Sequence, residues 1–105
     1  MDTTVLEIPE QHRYVISTGG EQVGVLEYQR DGATLAILHA ETDPAHTGKG
    51  VAGELTRVVL DDARTRGHAV LPFCPYVSAW IRKHPEYADL VPPGERAQFG
   101  LPAGA

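Results

Sequence analysis

Between Arg13 and Leu38 the apolar residues fall in short β-branched and aromatic runs separated by glycine-bearing turns; beyond Gly50 they recur at helical spacing. Arg13 to Thr18, RYVIST, is the first run, and Gly19 and Gly20 after it read as a hairpin turn. Val23 to Tyr28, VGVLEY, resumes with Val23, Val25 and Glu27 facing one way and Leu26 and Tyr28 the other. Asp31 and Gly32 supply the next turn, and Thr34 to Leu38, TLAIL, is nearly all apolar, as expected of a central strand covered on both faces. The pattern predicts a meander of three antiparallel strands.

From Gly50 to Arg66 the spacing changes. Val51, Leu55, Val58, Val59 and Ala63 form one helical stripe, while Glu54, Arg57, Asp61 and Arg64 occupy the outer face. Arg57 with Asp61, and Asp62 with Arg66, are i,i+4 pairs, and Gly67 is the expected stop. Ala69 to Phe73, AVLPF, is then a short strand. A helix of this length between two strands makes a crossover, so this strand should lie parallel to Thr34–Leu38, with Pro72 placing it at an edge or marking its end. A second helix should begin at Pro75 and stop before Pro85, burying Val77, Trp80 and Ile81, with Tyr87, Leu90 and Val91 in a short further turn. The expectation is an α+β fold, an antiparallel meander plus one parallel strand, with helices packed on the sheet. Residues 1–91 form a single domain in this reading, and Pro92 to Ala105, rich in Pro, Gly and Ala, forms a flexible tail with Phe99 and Leu101 as its anchors.

Length and composition narrow the function. A chain of 105 residues fits one core, which at this size buries roughly two-thirds of the unfolded surface. Fourteen acidic residues against nine Lys and Arg give a formal charge of −5, the wrong sign for generic phosphate-backbone binding, so no nucleic acid partner is expected. An acidic surface could favour a basic acceptor such as an amine, but many soluble proteins are acidic for solubility alone, and net charge says little about function. No apolar run approaches the ~18 residues of a membrane span, and the opening MDTTVLEIPE carries three acids and does not read as a signal peptide. Cys74 is the only cysteine, which suits a reducing, cytoplasmic setting. A monomer of this size is viable, and a monomer or weak dimer is expected.

Candidate chemistry gathers where the third run ends. His39 to Ala52, HAETDPAHTGKGVA, leads from a strand through a glycine-bearing loop into the first turn of the longer helix. Unpaired N–H groups and the helix dipole converge at such a point and favour an anion. The loop is neither a GxxxxGK[ST] nor a GxGxxG pattern, and by itself a glycine-permitted turn explains it as well. Cys74, ahead of Pro75 at a helix N-terminus, is either a thiol with lowered pKa or a small buried hydrophobe. His39 ends the strand neighbouring that of Cys74, and the two should converge on the crevice where the parallel strands end, as a base and a nucleophile. Glu41 either orients His39 or meets a substrate amine, and a solvent-facing strand residue is an equal alternative. His46, His68 and His84 have no metal spacing, so no metal is expected.

Taken together, the meander, the TGKGVA loop opening a long amphipathic helix and the parallel strand after it resemble the GNAT acetyltransferase superfamily. The H-x-E at His39 to Glu41, the HTGKG loop and the run PFCPYVSAWIRKHPEY are similar to the small YjdJ-type subfamily of minimal GNAT domains. The resemblance implies a minimal GNAT fold and an acetyl-CoA-dependent N-acetyltransferase, with acetyl-CoA as co-substrate and a small-molecule amine or a protein amine as acceptor. It implies that His46, Thr47, Gly48, Lys49, Gly50, Val51 and Ala52 hold the pyrophosphate, with the pantetheine arm between the two parallel strands. It further implies catalytic roles for His39 and Cys74, and makes Tyr76 and Tyr87 candidates to protonate the departing thiolate, Tyr76 also touching the cofactor. The family's usual Arg or Gln at the head of the loop is Thr47 here. A CoA or acyl-CoA binding module with little catalysis is the alternative.

Overall fold

The computed structural model describes residues 2–46, 48 and 50–101. Five strands form one sheet in chain order: β1 (Thr3–Ile8), β2 (Arg13–Thr18), β3 (Glu21–Asp31), β4 (Thr34–Thr42) and β5 (Ala69–Pro72). The first three pairings are antiparallel, and β4 with β5 is parallel. The crossover is α1 (Val51–Arg66), and α2 (Pro75–Lys83) follows β5. This is the expected α+β architecture with one strand more. The expected meander had three strands and began at Arg13; β1 precedes it and pairs along β2 from Thr3↔Thr18 to Ile8↔Arg13.

A single buried cluster joins Tyr14 and Ile16 of β2, Leu26 and Tyr28 of β3, and Leu35 and Ile37 of β4 to the apolar stripe of α1 and to Val77 and Ile81 of α2. Both helices therefore cover one face of the sheet, and the other face carries no helix among the described residues. Val23 departs from the expected alternation. It is the extra residue of a bulge between Ile16↔Gly24 and Ser17↔Gln22, which turns it into the core, while Val25 and Glu27 keep to the opposite face. None of the described helices is long and apolar enough to cross a membrane.

Each end of α1 is tied to the sheet differently. At its start, a Cβ on Gly24 would lie 2.8 Å from Ile16 Cγ2, 3.3 Å from the Glu41 carbonyl oxygen and 3.5 Å from Val51 Cγ1. The missing side chain lets the first helical turn rest directly on β3. At its end the ties are ionic. Glu7 of β1 points under the helix and accepts from Tyr28, from Arg30 Nη1 at 2.7 Å and from Arg66 Nη2 at 2.8 Å, while Tyr14 donates to Asp62 at 2.6 Å. Burial alone would raise the Glu7 carboxyl, but the Tyr28 and Arg30 hydrogen bonds with the Arg30 charge hold it below the usual carboxylate range. Burial first, and then the bond to Glu7, push the Tyr28 phenol up to about 12.

Beyond α2 the chain coils through 3-10 turns at Pro85–Leu90, Pro93–Glu95 and Ala97–Phe99. Phe99 and Leu101, the two expected anchors, are buried; Arg82 donates to the Phe99 carbonyl at 3.0 Å and Arg96 to that of Val91 at 2.8 Å. The segment through residue 101 is thus packed, and residues 102–105 of the expected tail lie outside the described residues.

Two outcomes test these ties. Gly24→Ala should cost about 1–3 kcal/mol through overpacking, read by chemical denaturation. Glu7→Gln should cost about 2–3 kcal/mol at pH 7, where the charged hydrogen bonds are fully formed. Because the folded pKa of Glu7 lies below the reference 4.5, its stabilisation is complete above that value and lost as pH falls through the lower folded one. The gap between wild type and Glu7→Gln should accordingly close in acid denaturation below pH ~4.

Candidate active site

The site is built by the parting of two strands. β5 pairs with β4 only from Thr34↔Ala69 to Ile37↔Pro72. Pro72 then ends the strand, Phe73 N–H turns back to the Leu71 carbonyl at 3.0 Å, and Cys74 N–H bonds the Ile37 carbonyl at 3.0 Å. The chain leaves the sheet there and enters α2 with Pro75 in its first turn, where a missing N–H costs nothing. β4 continues to Thr42 with β3 alone beside it.

A second bulge decides which side chains face the gap. Tyr28 pairs with Ile37 but Glu27 with His39, so Leu38 is an extra residue. Opposite residues share a face, so Ala40 and Thr42, across from Leu26 and Gly24, stand on the helix side. His39 and Glu41, across from Glu27 and Val25, stand on the open side. Their side chains meet there, His39 Nε2 lying 3.1 Å from Glu41 Oε1, and both are solvent-exposed.

On the helix side a cleft of about 430 Å³ is lined by Ala40 and Thr42 of β4, His46, Gly48, Gly50, the first turn Val51–Gly53 of α1, and Tyr76 of α2. Gly50 caps α1 with φ 79° and offers no side chain to its first-turn amides. That left-handed geometry is strained for any residue with a Cβ. Gly53 brings the two helices together: a Cβ there would lie 3.4 Å from Trp80 Nε1 and 3.8 Å from Tyr76 Oη. The Nδ1 atom of His46 is buried and has no hydrogen-bond partner among the described residues, lying 3.9 Å from Asp43 Oδ2. Glycines for close approach, first-turn amides without a side-chain cap among the described residues and a buried imidazole nitrogen suit an anionic group at the helix start.

Of the expected cofactor residues, His46, Gly48, Gly50, Val51, Ala52 and Tyr76 gather around this one cleft, and Thr47 and Lys49 lie outside the described residues. Ala40, Thr42 and Gly53 were not among them. Gly53 had a signal, a second glycine one turn after Gly50; Ala40 and Thr42 had none, because their facing depends on the bulge. His39 and Cys74 do not point into one crevice. Cys74 is 3% exposed within the core on the helix side, and His39 stands across β4 on the open side. Burial, followed by the nearby Cys74, raises the Tyr76 phenol above its ordinary value. Tyr87 donates to Asp61 at 2.8 Å and is absent from the cleft lining. Trp80 packs on the core and stacks on His84 with ring centroids 3.8 Å apart. No cluster of His, Cys, Asp and Glu suited to a metal occurs among the described residues.

Solved structures with this fold include a GCN5-like protein of Staphylococcus aureus, matched at a TM-score of 0.62 and 16% identity over 85% of this chain and 87% of that one. The ribosomal-protein-S18-alanine N-acetyltransferase of Escherichia coli matches at 0.53 and 17% identity over 55% of this chain, which spans 38% of that enzyme's length. At such identities the likeness is one of fold. No curated protein matches the chain in sequence. The profile of the GCN5-related N-acetyl-transferase family matches residues 13–90, which contain β2 to β5, both helices and every residue lining the cleft, and the chain belongs to that family.

Proposed function

We propose that the cleft holds acetyl-CoA and that the chain transfers its acetyl group to an amine. The observation that carries this is the gap between β4 and β5, with an anion-suited cleft on one face and the His39–Glu41 pair on the other. Donor and acceptor approach from opposite sides and meet between the strands. When bound, the cofactor supplies an acetyl group on a thioester carbon open to attack.

The amides of the loop from His46 to Ala52 hold the pyrophosphate, where the α1 dipole favours negative charge, and the open edge of β4 beyond Ile37 flanks the pantetheine arm. His39 accepts the proton that the amine loses as its nitrogen bonds to the acetyl carbon, and Glu41 orients the imidazole. As the carbon–sulfur bond breaks, Cys74 gives its proton to the leaving thiolate, or else itself takes the acetyl group through sulfur before the amine does. Tyr76, whose phenol burial raises above its ordinary value, lines the cleft as Cys74 does not, and is the alternative proton donor.

One observation favours a second reading, binding of CoA or acyl-CoA without transfer: the side chains of His39 and Glu41 are 50% and 69% exposed, so both face solvent. Thiol release from acetyl-CoA across a panel of amines separates the two. Transfer predicts that His39→Ala lowers amine-dependent kcat/KM by about 10²–10⁴-fold. CoA at 100 times its Kd should still stabilise the variant by about 2.7 kcal/mol. Stabilisation without amine-dependent turnover supports the binding module, and an absence of stabilisation removes both readings. An acetyl adduct on wild type but not on Cys74→Ala, seen by mass spectrometry, assigns the covalent role to Cys74.

A further inference from the structure

The open face of the sheet has an order that continues from the His39–Glu41 pair. Register lines up Leu6, Val15, Val25 and Glu41 in one row across β1 to β4. The adjacent row runs Ile8, Arg13, Glu27 and His39. From β4 to β1 is three strand spacings, about 14 Å. The first row is apolar until it reaches Glu41. Val15 is only 6% exposed, sunk among its neighbours, while Leu6 at the sheet edge stands 60% exposed. In the second row Arg13 Nη2 bonds Glu27 Oε2 at 3.1 Å, so those charges satisfy each other. The carboxylate left beside His39 is that of Glu41.

We propose that the acceptor is a primary monoamine with an elongated apolar body, its ammonium at Glu41 and His39 and its body lying along Val25, Val15 and Leu6. This rests on the reading of His39 as the base of a transferase. Charge complementarity places the ammonium, because Glu41 terminates an otherwise apolar row. The same row disfavours other amines. An extended peptide brings an N–H and a C=O with every residue, yet β2 and β3 are each paired on both edges and the three side chains are apolar. A polyamine brings further cations, and Glu27 is already engaged by Arg13.

Turnover of straight-chain primary amines from propyl to octyl, in the presence of acetyl-CoA, tests this. The ratio kcat/KM should climb about two- to fourfold per methylene, the upper limit corresponding to full burial of each one. Leu6→Ser and Val25→Thr should flatten that slope, lowering the octyl-to-propyl ratio by about tenfold. Leu6 is exposed and threonine is β-branched like valine, so both variants should fold, which circular dichroism checks. A slope of one, or preference for spermidine or a lysine-rich peptide over octylamine, overturns the proposal. Amide NMR shifts on adding octylamine to the CoA-saturated protein give a readout independent of turnover. Shifts at Leu6, Val15 and Val25 without catalysis support the amine surface while removing the transferase reading. Absence of those shifts overturns the amine surface even if small amines are acetylated.

Discussion

One surplus residue in β4 governs the geometry of the site. Leu38 has no partner in β3, and its insertion reverses the facing of everything after it. Without it, His39 and Glu41 would follow Leu35 and Ile37 into the core, and Ala40 and Thr42 would face outward. Burying a histidine and a glutamate beneath α1 would cost desolvation that two small residues avoid. The bulge therefore gives the cleft Ala40 and Thr42 as its floor and the opposite face His39 and Glu41, within the same four residues. It also falls next to Ile37, the last residue paired with β5. Change of facing and loss of the neighbouring strand coincide, so the gap opens where the side chains switch sides.

A gap between strands is useful only if the helix start above it stays put. α1 is held by opposite means at its two ends. Its first turn approaches the sheet over Gly24 and α2 over Gly53, each contact close because a side chain is missing. Its last turns sit over Glu7, Tyr14, Tyr28 and Arg30, whose hydrogen bonds run into Asp62 and Arg66. Close packing at the start leaves the first-turn amides free for a ligand, whereas a polar network there would have occupied them. Placing the polar ties at the other end keeps the two requirements apart.

Much of this was legible in the chain, and the exceptions share a cause. The runs from Arg13 to Leu38, the stripe of α1, the parallel strand after it and the start of α2 at Pro75 follow local rules of period and capping, and the structure has them. β1 escaped because Glu7 breaks its alternation. A carboxylate facing inward reads as a loop residue until Arg30 and Arg66, distant in sequence, are seen beside it. Val23 and the residues after Leu38 took unexpected faces because a bulge is a relation between two strands, absent from the period of either one. His46, Gly48, Gly50, Val51 and Ala52 line one cleft because they are nearly contiguous. The convergence of His39 and Cys74 failed because it assumed an unbroken alternation through β4.

The separation of those two residues bears on what each can do. Cys74 is anchored through its own N–H to Ile37, at the last rung before the strands part, and its sulfur is enclosed. An enclosed thiol meets few bulk nucleophiles or oxidants. His39 is placed for the reverse duty. In the proposed transfer His39, half exposed, passes its proton to water after each turnover, which an enclosed base could not do without a relay. In the same proposal the proton acceptor lies on the solvent-facing side of β4 and the enclosed sulfur on the helix side, which separates proton exchange with water from the thioester.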